Sequence, residues 1–331
     1  MSATGTQISQ FSPNPMLLEY AFGLQQSMLS PVANFLAPTV EVDTMIGRFK
    51  KYDRKHAFRI PETQRAIGGR AVEISFGASD GTYQCQWNSV DVPVDIAVEQ
   101  ETEALQNWMK GAANMAAQVA ALQHEKRVID LALANINSGS ANATIKPNKS
   151  TSPDDPVAAI DAYILESLKA ARSGGTTGIR VLFGATAWQI IKNCSTIRNR
   201  VITAGAGGAS QTGAPATAAP NVRIDTMKTL LFGEPECALS MAVYDSAAPG
   251  VADSVSFVLD SEVLIFPANQ NPTTLDPTAF KTFRLRGQWM VPGLYERDDK
   301  RVTVAKFDWV SDVQAVFPDA ARRITVSAAT S

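Results

Sequence analysis

The chain has 331 residues, enough for one large or two ordinary domains with a well-buried core. Its 45% apolar and 19% charged content excludes wholesale disorder, and 30 basic against 32 acidic side chains, a net charge of −2, exclude a protein whose whole surface grips nucleic acid. Three scattered cysteines (Cys85, Cys194, Cys237) without a CxxC pair exclude a disulfide scaffold and a zinc knot, and predict a reducing compartment.

Residues 1–40 are polar, then sparsely apolar, and prolines at 13, 15, 31 and 38 forbid a long helix or a central strand. They read as an arm. No lysine or arginine precedes Arg48, so the positive region of a secretory signal is missing and export by that route is not expected. Residues 20–40 carry no charge, but Gln25, Gln26, Ser27, Ser30, Pro31, Asn34 and Pro38 interrupt them, and no membrane span or membrane partner is expected.

The sharpest feature follows. From Arg48 to Arg70 there are eight basic residues (Arg48, Lys50, Lys51, Arg54, Lys55, Arg59, Arg65, Arg70) and two acidic ones (Asp53, Glu62), a net +6. From Ala71 to Met109 no lysine or arginine occurs, while Glu73, Asp80, Asp91, Asp95, Glu99, Glu101 and Glu103 sum to −7. Each block repels itself and is better placed against the other sign. A solvated charged hairpin, a nucleic-acid contact and a contact with an acidic protein surface all fit the basic block. The alternations Val72, Ile74, Phe76 and Tyr83, Cys85, Trp87 flank Asp80-Gly81, which predicts an extended two-stranded element with a turn at that dipeptide.

From about Val94 the period changes. Leu105, Trp108, Ala112, Met115, Val119, Leu122, Ile129, Leu133 and Ile136 fall on three-four spacing with Lys126 within the stripe, predicting an amphipathic helix of roughly 40 residues. Asp95 is its expected cap, Glu99, Glu101 and Glu103 lie near its positive end, and Gly139 follows it. Residues 138–156 read as a linker. Val157, Ile160, Ile164 and Leu168 then predict a helix, Ile179–Phe183 a buried strand and Ala185–Asn193 another helix. Residues 203–220 are uncharged and rich in Gly and Ala, which predicts a mobile loop. Strands are expected over 239–244 and 255–266, and a long hairpin over 280–289 and 301–317 around Asp298-Asp299. The whole reads as α+β with two regions.

Chemistry has little material. The two histidines, His56 and His124, cannot build a metal site or a Ser-His-Asp arrangement alone, and His124 reads as a solvated helical residue. Cys194 and Cys237 lie in apolar elements, where a small buried thiol is the common state. Gly205, Gly207 and Gly208 are not followed by a helix start that could cradle phosphate, and Asp154-Asp155 beside Pro156 suit a helix N-terminus better than paired catalysis. Asn142 and Asn148 match the glycosylation pattern, which means nothing without secretion. No cofactor, metal or catalytic residue is expected.

The order of arm, charged extended hairpin, spine helix, α/β region and returning β-hairpin resembles the major capsid proteins of tailed bacteriophages, with the fold named after coliphage Hong Kong ninety-seven. The resemblance is carried by ANFLAPTVEVDTMIGRFKKYDR at 33–54, NSVDVPVDIAVEQETEAL at 88–105, IRVLFGATAWQIIKNCSTIRNRV at 179–201, LLFGEPECALSMAVYDSA at 230–247 and AVFPDAARRI at 315–324. It implies an N-terminal arm over 1–40, an extended loop over 41–92, a peripheral domain with the spine helix over 93–150 and an axial domain over 151–275. The peripheral-domain return and C-terminal strand take 276–331. It further implies hexamers and pentamers of the chain itself, a separate scaffold, a portal and non-specific contact with packaged double-stranded DNA, in a virion assembled in the host cytoplasm, and leaves open whether a cementing protein decorates the shell. Arg48, Lys50, Lys51, Arg54, Lys55 and Arg59 are the expected inter-subunit donors, and Asp95, Glu99, Glu101 and Glu103 the acceptors. An encapsulin-like compartment is the alternative within the fold, and a soluble hydrolase would need a site that the sequence does not offer.

Overall fold

The computed structural model describes residues 31–52, 78–95, 105–136, 142–147, 154–171, 178–198, 222–248, 250–274, 278–289, 291–297 and 302–328, with single positions 60, 63, 64, 69, 200 and 276. Helix α1 (Pro31–Leu36) starts on a proline, whose fixed φ and missing N–H suit a first turn. It buries Ala33 and Leu36, and strand β1 (Thr39–Val42) follows it. Strands β2 (Ile46–Tyr52) and β3 (Ala78–Gln84) form a two-stranded antiparallel ribbon. Asp80-Gly81 is not the turn: it lies in mid-strand, with Gly81 opposite Phe49. The glycine serves the ring across from it, since a Cβ there would stand 2.4 Å from Phe49 Cζ.

Strand β4 (Gln86–Asp95) comes next and carries the pairing through Asp95, and the spine helix α2 is described from Leu105 to Asn135, 31 residues or about 46 Å. Asp95 therefore ends a strand and does not cap the helix. The C-terminal half of the predicted stripe is on the buried side, with Ile129 and Ile136 in the core and Leu122 and Leu133 packed on it, but in the N-terminal half the buried seam is displaced from the large apolar residues. Ala112, Ala113, Ala116, Ala117 and Ala120 are buried, whereas Met115 and Val119 are exposed. Small side chains let the helix lie close upon the sheet beneath, against Val90, Val92, Trp289, Phe307 and Trp309.

That sheet consists of β1, β11 (Phe280–Leu285), β13 (Val302–Ala315), β12 (Val291–Glu296) and β4. The long hairpin expected in this region is present: β11 and β12 pair antiparallel with successive stretches of β13, and β4 pairs with β13 from Gln86 to Asp95. The Asp298-Asp299 turn lies outside the described residues. Pro93 and Pro292 sit on β4 and β12, which pair with β13 alone among the described strands, the edge position in which a residue without an N–H is tolerated.

The second sheet runs in the order β5 (Asn142–Ile145), β14 (Arg322–Val326), β10 (Glu262–Pro267), β6 (Ile179–Phe183) and β7 (Glu236–Leu239). All five residues of β6 are buried, because both faces of the sheet are covered. On one side lie α3 (Pro156–Ala171), α4 (Ala185–Lys192) and α5 (Ile224–Leu230), with Ile160, Ile164, Trp188, Ile191 and Met227. On the other, Leu182, Leu264 and Phe266 meet α1, the C-terminal part of α2, and Phe280 and Val313 of the first sheet. Asp155 accepts the Val157 N–H at 3.1 Å at the start of α3, the helix-opening role expected of it. The stretch 239–244 is broken: β7 ends at Leu239, and β8 (Val243–Asp245) pairs with β9 (Val255–Phe257) in a ribbon of its own.

Candidate assembly surface

The ribbon β2–β3 departs from the sheet at a root built from paired glycines and aromatics. Gly47 faces Tyr83 and Phe49 faces Gly81 in the register, so each strand supplies one ring and one glycine beneath the opposite ring. A Cβ at Gly47 would stand 2.3 Å from Tyr83 Oη. Both rings then stack on Phe283 of β11, at 5.3 Å from Phe49 and 4.7 Å from Tyr83. The Gln84 N–H donates to Asp312 Oδ2 at 2.9 Å, and Asp312 lies 3.8 Å from Arg127 of α2. The Cys85 thiol points at the Phe283 carbonyl, and burial, then the Asp312 charge, push it up to about 11. The root thus ties ribbon, hairpin and spine helix at one place.

On this root Arg48 is exposed opposite Thr82, and the register sets Lys50 opposite Asp80 and Lys51 opposite Ser79. Asp95 is exposed at the far end of β4, opposite Val302. About 30 Å of strand separates it from Gln86 at the root. The backbone register therefore sets Lys50 across from Asp80, and Asp95 lies elsewhere on the sheet. Arg54, Lys55, Arg59, Glu99, Glu101 and Glu103 lie outside the described residues.

Groups with latent reactivity are held inert. Burial raises the Cys237 thiol to about 12, and Cys194 is buried. Burial also lowers Lys281 to about 8, yet its Nζ is spent on the Thr273 and Asp276 carbonyls at 2.6 and 2.5 Å. His124 is buried, not solvated, and its ring meets Trp289 edge-on at 5.1 Å. Burial, then the Arg127 charge, lower it to about 4. Among the described residues no group of three or more His, Cys, Asp or Glu could hold a metal ion, and no helix is long and apolar enough to cross a membrane.

A spine helix across a β-hairpin sheet, an anchored ribbon leaving that sheet, and a second sheet with helices on its outer face make up the fold of tailed-phage major capsid proteins. Among solved structures the chain is similar to a phage-related protein of Bordetella bronchiseptica, at 18% identity over 94% of this chain and 96% of that one, TM-score 0.65. It is similar to the mature capsid of bacteriophage PhiM1, at 10% identity over 90% and 87%, TM-score 0.56. A virus-like particle from Pyrococcus furiosus gives 11% identity over 94% and 98%, TM-score 0.50. No protein-family model matches the chain, and no curated protein sequence matches it.

Proposed function

We propose that the chain is a structural major capsid protein that self-assembles through hexamers and pentamers into an icosahedral shell around double-stranded phage DNA. The observation that carries this reading is the anchored ribbon. Two-stranded ribbons are marginal in water on their own, and β2–β3 pairs only with itself among the described strands while its root is fixed by three stacked rings. Such an arm is built to hold a neighbour. The +6 block it carries meets the acidic block of the next subunit, with Arg48, Lys50, Lys51, Arg54, Lys55 and Arg59 as donors and Asp95, Glu99, Glu101 and Glu103 as acceptors. A separate scaffold and a portal complete the assembly. A second reading within the same fold is an encapsulin-like compartment around a protein cargo.

Exposed ion pairs are worth about 0–1 kcal/mol each, so several act together and salt weakens them. Replacing Glu99, Glu101 and Glu103 by lysine is expected to impair empty-shell assembly, and acidic replacements at Lys50, Lys51 and Arg54 are expected to restore part of it. Normal assembly of the lysine variant, with a defect only in DNA retention when the basic residues are changed, would contradict the interface and assign the block to DNA. Nuclease-treated particles are expected to protect double-stranded DNA. A protein cargo without nucleic acid would favour the compartment.

A further inference from the structure

The β8–β9 ribbon has three residues in each strand, too few to stand alone. Its inner face is held by Tyr244, packed on the core shared by both sheets with Lys126 Nζ 4.8 Å from its ring centre. Strand alternation turns Val243, Val255 and Phe257 the other way, and with Met241 and Val251 they are 40–67% exposed. Three apolar side chains on one face of a small ribbon, with Met241 and Val251 exposed in the segments beside it, form a surface of the kind that marks a contact. Along the chain the charge is one-sided: residues 229–280 contain seven acidic residues and no lysine or arginine, Asp245 and Asp253 are exposed on the ribbon and its connection, and the cation beside the ribbon, Lys126 of α2, lies at the Tyr244 side.

The occupant must therefore be apolar and basic. Residues 1–47 of the chain contain no lysine or arginine, which excludes them on charge. The stretch 58–70 interleaves Phe58, Ile60 and Ile67 with Arg59, Arg65 and Arg70, and Ile60 is 100% exposed. We infer that the apolar face of β8–β9 receives residues 58–70 of the basic loop of a second copy, with isoleucine and phenylalanine on the valines and Phe257, and arginines toward Asp245 and Asp253. The inference rests on the shell reading and adds a second contact, distinct from the acidic start of the spine helix.

Assembled particles of the double variant Ile60→Cys, Val255→Cys, oxidised and run on a denaturing gel without reductant, test it. Covalent dimers of the chain are expected, absent from either single variant and lost on reduction. Intact particles without cross-links beyond those of the single variants would overturn the docking while leaving the shell reading standing; a wild-type chain that forms no particles would overturn both. A second measurement avoids engineered thiols. Asp253→Lys is expected to lower particle yield several-fold with unchanged melting of the subunit, and adding Arg65→Glu is expected to recover it. An unchanged yield in Asp253→Lys, or a loss that Arg65→Glu deepens, would overturn the docking.

Discussion

Gly47 and Gly111 are the same residue in opposite situations. At Gly47 a methyl group would meet Tyr83 Oη at 2.3 Å, inside a ring stack that has no slack, whereas at Gly111, on the exposed side of α2, nothing lies within 4 Å. Gly47→Ala is therefore expected to cost about 1–3 kcal/mol, and Gly111→Ala to gain about 0.5–1 kcal/mol by restricting the unfolded chain and favouring the helix. Thermal melting checks both, and equal effects would contradict the root geometry. His124 carries a pH signature. Its folded value, about 4, lies below the ordinary 6.5, so between these values the unfolded chain takes up a proton that the folded one refuses. Stability is fully present above about pH 6.5 and falls as pH drops toward 4, by up to about 3 kcal/mol. Unfolding of His124→Phe is expected to lose that part of the pH dependence; an unchanged profile would place the ring in water. None of this was legible in the sequence, because His124 is buried by Trp289, 165 positions away in the chain.

The spine helix shows at the scale of an element what periodicity reads and what it misses. Three-four spacing located the helix, yet weighting large apolar residues put Met115 and Val119 on its buried side. In the N-terminal half the seam is alanine because α2 lies flat across β4 and β13, and a close approach leaves no room for longer side chains, whereas the C-terminal half buries Val128, Ile129 and Ile136. Ala116→Leu is expected to destabilise the subunit by about 1–3 kcal/mol through overpacking, while Met115→Gln stays within about 0.5 kcal/mol. Denaturant unfolding separates them, and the reverse order would restore the original stripe. The Asp80-Gly81 dipeptide misled in the same way. It is a turn signal when read locally, and only the cross-strand register to Phe49 reveals a glycine placed under a ring. By contrast β6, the start of α3 at Pro156 and the returning hairpin were legible, since a short apolar run, a proline beside acidic residues and alternation are local signals. The charge blocks were legible as composition, and what each one faces was not.

At the scale of the whole molecule, one core joins α1, the end of α2 and both sheets, and two ribbons project from this body with little of their own to hold them. In the proposed shell, further copies of the chain meet the basic loop, the acidic block and the exposed apolar side chains of β8–β9. Electron microscopy of the purified protein, over a range of concentration and salt, tests this most directly. Closed shells assembled from five-fold and six-fold capsomers, their yield falling as salt rises, are the result expected. A strictly monomeric chain under all of these conditions would contradict the account.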